Sequence, residues 1–217
     1  METEQIESVK KRIGLNGNQL KVIAIIAMTI DHLAWVGIEE YSQAETPVQI
    51  FLHCIGRLTA PIMLYLITEG YYYTRDFRKY LGRIALLAVV SHFAFCYFAQ
   101  PSFNPFENLL FNATSIAWPM MWGLIFLKAW DTERLGIWLK VLITVGGCAL
   151  TVTSDWSFAA PLAILMVGRS RGNFHRQMLW LMAIVSGYAV AFFIFNNPTY
   201  GMAHMALIGL LSRVIAK

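Results

Sequence analysis

Charge is the scarcest property of this sequence: Asp, Glu, Lys and Arg make up 14% of its 217 residues, where soluble domains carry about 25%. Together with a hydrophobic content of 57% and a mean hydropathy of +0.53, that shortage excludes an ordinary soluble domain and implies an all-α, polytopic membrane helix bundle. Cysteine is equally sparse. Cys54, Cys96 and Cys148 stand singly in apolar surroundings, never in a C-x-x-C spacing, so neither a disulfide framework nor a metal site is expected. The segment 1–19, METEQIESVKKRIGLNGNQ, lacks a short apolar core ending in a small-residue cleavage site, so it reads as a cytoplasmic segment and not a cleaved signal. Gly14 and Gly17 follow no strand pattern and lack a third glycine, which speaks against a dinucleotide loop. No repeat or low-complexity tract divides residues 20–217, which are expected to form one membrane domain.

What is present is apolar length. Windows of about 17 to 25 apolar residues, the length that crosses a bilayer, fall near 20–39, 48–73, 81–99, 113–129, 137–153, 155–168, 177–195 and 200–215. Eight transmembrane helices are therefore expected, the sixth short enough to be either a span or a re-entrant segment. Lys10, Lys11 and Arg12 precede the first window and Lys21 opens it, and Arg75, Arg78 and Lys79 separate the second from the third, which Arg83 opens. Lys128, Arg134 and Lys140 fall at or between the facing ends of the fourth and fifth, Arg169, Arg171 and Arg176 between the sixth and seventh, and Arg213 and Lys217 come last. Cytoplasmic loops are enriched in Lys and Arg. An even number of spans with both termini cytoplasmic places every one of the 17 basic residues except Arg57 on that side. The net charge of +4 then reflects topology, and the partner it implies is the lipid bilayer, not nucleic acid.

Ionisable groups at membrane depth cost about 2.5–3.5 kcal/mol each on insertion scales and need a reason to be there. Ala24, Ala27, Asp31 and Ala34 recur at helical steps, so Asp31 should lie in a stripe of small residues that faces another helix. His32, about 100° further round, should serve a different partner. The second helix runs the other way and brings Arg57 to a similar depth, where Pro61 cannot donate to the Arg57 carbonyl and should bend the helix. Asp155 enters the sixth window from outside, and His204 lies just inside the outer end of the eighth. Topology thus gathers Asp31, His32, Arg57, Asp155 and His204 in the outer half of the bundle. Taken alone, His53 and His92 read as helix-to-helix hydrogen bonders, and Glu69 sits near water at a cytoplasmic end.

Five blocks of this sequence, LKVIAIIAMTIDH (Leu20 to His32), GRLTAPIMLYLITEG (Gly56 to Gly70), YLGR (Tyr80 to Arg83), TSDWSFAAPLAILMVGR (Thr153 to Arg169) and YGMAHMALIGLL (Tyr200 to Leu211), resemble the TraX family. The Asp-His of the first helix and the Gly-Arg of the second are the most specific matches. The resemblance implies a multi-span acyltransferase of the bacterial inner membrane, the family's named activity being acetylation of F-pilin at its amino terminus. The expected reaction is acetyl transfer from acetyl-CoA to an amine or hydroxyl, such as a pilin amino terminus or an envelope component, without a metal. His32 is the expected general base, Asp31 and Arg57 a supporting pair in which the arginine also polarises the thioester carbonyl, and His204 and Asp155 groups that orient base or acceptor. The run RDFRKYLGR offers Arg75, Arg78, Lys79 and Arg83 to the CoA phosphates. The alternative expectation is a proton-coupled small-solute carrier with Asp, His and Arg as its relay, although eight spans without a visible repeat are unlike the paired halves of many carriers.

Overall fold

Apolar runs of this length fold as helices because a helix satisfies its own backbone donors and acceptors where no water can. The computed structural model describes residues 15–38, 47–99 and 114–195. Among them are eight helical segments, α1 Gly17–Ile38, α2 Pro47–Gly56, α3 Thr59–Tyr73, α4 Phe77–Ala99, α5 Ala117–Asp131, α6 Ile137–Thr151, α7 Ala159–Arg169 and α8 Phe174–Phe195. The described residues hold no strand, only one isolated bridge between Thr114 and Ser154, so the all-helical expectation holds.

Local chemistry explains where helices begin and break. Asn16 and Gln19 exchange side-chain to backbone bonds of 2.8 Å in both directions, a reciprocal cap that starts α1. Asp76 accepts from the Lys79 N–H at 3.2 Å and starts α4. α2 and α3 form one rod interrupted at Arg57 and Leu58. Pro61 falls in the first turn of α3, where its missing N–H costs nothing, and the interruption lies where that N–H would have met the Arg57 carbonyl.

α7 is the central element. Ala160, Ala163, Ile164 and Val167 are fully buried, and α7 packs on α5, α8 and α3 while α1 packs on α2 and α3. The α5–α7 approach depends on Gly123, since a Cβ there would stand 2.7 Å from Ile164 Cδ1. Leu64, Leu124 and Leu127 fill the space between.

The rod Phe51–Tyr73 and the helix Phe77–Cys96 are long and apolar enough to cross a membrane, whereas Ile137–Thr151 and Ala159–Arg169 are apolar but shorter. At 1.5 Å per residue, α7 covers about 16 Å, roughly half of a hydrocarbon core. The sixth expected segment is thus a half-length helix enclosed by its neighbours. The eighth, 200–215, lies outside the described residues. α4 and α6 turn Leu86, Val89, Val90, Trp138, Leu142 and Val145 outward, an apolar surface far larger than isolated exposed side chains produce.

Candidate functional site

The stripe on α1 carries Asp31 into the bundle. Ala24, Ala27 and Ala34 are at most 3% exposed, and Asp31 between them meets α2 at Gly56, where an added Cβ would overlap the Asp31 Cβ and Cγ. Thr59 Oγ1 donates to the Ala24 carbonyl at 3.0 Å and fastens the same pair of rods two turns away. One turn before Gly56, the buried ring of His53 sets Nδ1 2.8 Å from Asp31 Oδ1. An ionised carboxylate only accepts, so His53 Nδ1 donates.

This corrects the expected pairing of Asp31 with Arg57. His53 and Gly56 are three residues apart and share one face of α2, whereas Arg57 stands at the helix interruption and forms no ion pair among the described residues. Its Nε is buried there without a hydrogen-bond partner among the described residues.

Asp155 belongs to the connection between α6 and α7. Its N–H donates to the Thr114 carbonyl at 2.9 Å, and Thr114 Oγ1 donates to Ser154 Oγ at 2.8 Å. The next two residues, Trp156 and Ser157, have φ of 63° and 43°, a left-handed conformation that costs a non-glycine residue about 1–3 kcal/mol and gathers at functional sites. Packing holds it in place: the buried Trp156 stacks on Tyr188 of α8 with centroids 4.9 Å apart, and Ser157 Oγ donates to the Val152 carbonyl at 2.9 Å.

His32 is exposed, on a different side of α1 from Asp31. Its Nδ1 lies 2.8 Å from the Met28 carbonyl. A carbonyl only accepts, so Nδ1 carries the proton of the neutral ring and Nε2 keeps a lone pair. The ring is therefore held by its own helix through Nδ1.

Asp31 and His32 thus stand side by side on α1, Arg57 follows the Gly56 that meets Asp31, Asp155 lies on the connection between α6 and α7, and His204 lies outside the described residues. Arg75, Arg78, Lys79 and Arg83 are exposed on the first turns of α4 and the turn before it, beyond the far end of α3, which at 1.5 Å per residue is about 24 Å from Arg57. Lys79 is 3.6 Å from Asp76. His53, Gly56, Trp156 and Tyr188 were not singled out by the sequence as parts of this site. The H-x-x-G-R spacing, which puts His53 and Gly56 on one helix face, is the signal that could have found the first two.

The family model described as TraX protein matches residues 16–216. The probable fimbrial assembly protein FimC, serogroup H1, of Dichelobacter nodosus is 37% identical over 83 residues, 38% of this chain and 32% of its own length. The chain thus spans about a third of that curated relative. No solved structure matches. Since the family model covers nearly the whole sequence, the chain belongs to the TraX family.

Proposed function

We propose that the chain is a multi-span inner-membrane acetyltransferase with both termini in the cytoplasm, transferring acetyl from acetyl-CoA to the amino terminus of a pilus or fimbrial subunit. The observation that carries this reading is the fixed ring of His32, whose Nδ1 is occupied by Met28 while Nε2 keeps its lone pair. Acyl transfer needs that group. Nε2 takes the proton of the attacking amine as the new amide bond forms, the thioester C–S bond breaks, and the CoA thiolate leaves and is protonated. Arg57, with its unspent Nε donor, stabilises the oxyanion between those events. Asp155 and Asp31 set the local field, and His53 fixes Asp31.

Family membership supports the reaction class, and the fimbrial relative supports the acceptor. The exposed apolar faces and the basic residues gathered at one end support the topology. The test is mass spectrometry of pilus subunits and other envelope components from cells carrying the wild-type chain, His32→Ala or no chain. One acceptor should bear an acetyl group only with the wild-type protein, and purified protein should transfer isotope-labelled acetyl from acetyl-CoA to it. An unchanged acetylation pattern across the three strains would overturn the reading.

A further inference from the structure

At the end of the bundle opposite Arg57, α3 and the start of α8 leave a groove of about 590 Å³, within the range of about 300–1,000 Å³ usual for small-molecule sites. No residue assigned to the reaction lines it. Gln177, 4% exposed, donates from Nε2 to the Val167 carbonyl and to Glu69 Oε1, both at 3.3 Å. That fixes the Glu69 carboxylate in the groove wall. Its other oxygen lies 3.8 Å from Arg171 Nε, and the guanidinium rests over the Tyr72 and Tyr73 rings, 4.3 and 5.2 Å from their centroids. Beyond that loose pair, the side-chain donors of Arg171 have no acceptor among the described residues.

The surroundings select the ligand. Tyr65 and Phe174 meet edge to face at 6.5 Å, and Phe174 and Tyr73 are 64% and 76% exposed. Such rings, beside Arg75, Arg169 and Arg176 in the adjoining turns, mark the level where hydrocarbon meets water. A site for a simple anion would not hold a carboxylate beside its guanidinium. A ligand that carries both charges satisfies both residues: a phosphate meets the Arg171 fork, and a primary ammonium meets Glu69.

We propose that this groove binds the headgroup of a zwitterionic aminophospholipid, phosphate on Arg171 and ammonium on Glu69, with the acyl chains leaving through the open side. The inference rests on the membrane-embedded reading above, and not on acetyl transfer.

The experiment is native mass spectrometry of the full-length purified chain with phosphatidylethanolamine, phosphatidylcholine and phosphatidylglycerol. Phosphatidylethanolamine should bind about tenfold more tightly than the other two, the effect of one charge-assisted contact. Phosphatidylcholine has no N–H to donate, and phosphatidylglycerol has no cation. Glu69→Gln should abolish the preference, and Arg171→Gln should weaken all three. Should Arg171→Gln fail to fold, the three lipids on the wild-type chain decide the matter alone. Equal binding of the three overturns the proposal, as does displacement of the lipid by inorganic phosphate or acetyl-CoA, which would give the groove to a soluble phosphate ligand. A chain that stays in the aqueous fraction without detergent overturns the membrane reading as well, whereas equal binding by an embedded chain overturns the headgroup site only.

Discussion

Gly56 and Asp31 claim the same space across the contact between α1 and α2: a Cβ added to Gly56 would overlap the Cβ and Cγ of Asp31. The Gly-Arg motif is therefore a packing device followed by a charge. Because the missing methyl lets the carboxylate settle onto α2, it also sets the 2.8 Å bond from His53.

Gly56→Ala should destabilise the protein by about 1–3 kcal/mol, the usual cost of overpacking. Gly82→Ala is the control. No neighbouring atom of the described residues lies within 4 Å of its added Cβ, and alanine gains roughly 0.5–1 kcal/mol over glycine inside a helix. Thermal melts in detergent should put the two variants on opposite sides of wild type. A Gly56→Ala melt as high as that of Gly82→Ala would mean that α1 and α2 do not meet at Asp31.

The bond between Asp31 and His53 should appear as energetic coupling. Asp31→Ala and His53→Ala should each cost about 1–3 kcal/mol, since each removes one side of the bond and leaves its partner unsatisfied. The double variant should cost less than the sum by more than about 0.5 kcal/mol. The corresponding cycle for Asp31 with Arg57 should be closer to additive, as those two form no ion pair. Stronger coupling of Asp31 to Arg57 than to His53 would reverse the assignment.

The stripe on α1 and the interruption near Arg57 were legible because helical periodicity and proline chemistry are local. Which residue Asp31 bonds was not. That depends on the rotation of α2 about its axis, and Gly56 sets it by yielding space to a residue 25 positions earlier in the sequence. The left-handed Trp156 and Ser157 were equally hidden, because neither is a residue type that favours positive φ; stacking on Tyr188 imposes it.

Labelling should separate the two ends of the bundle. With Cys54, Cys96 and Cys148 replaced by alanine, single cysteines at the exposed positions Arg78 and Arg134 should react with an impermeant maleimide only after the membrane is opened. A cysteine at Phe158, 50% exposed beside Asp155, should react in intact spheroplasts. Labelling of Arg78→Cys and Phe158→Cys from the same side would contradict the topology.

His32 and Asp31 are neighbours in sequence with separate tasks, and their variants should separate those tasks. His32 is exposed and, among the described residues, bonded within its own helix, so His32→Ala should change stability by no more than about 0.5 kcal/mol, as surface substitutions do. It should nevertheless reduce acetyl transfer by about 10²–10⁴, the usual worth of a general base. Asp31→Ala removes the acceptor of a buried histidine and should lower both the melting temperature and the rate. The pH profile separates base catalysis from positioning. Only a neutral imidazole has a lone pair to offer, so the wild-type rate should rise with pH, and the residual rate of His32→Ala should lose that limb. Transfer at the wild-type rate in a well-folded His32→Ala protein would remove His32 from the chemistry. The ring held by Asp31, His53, would then be the base to test next.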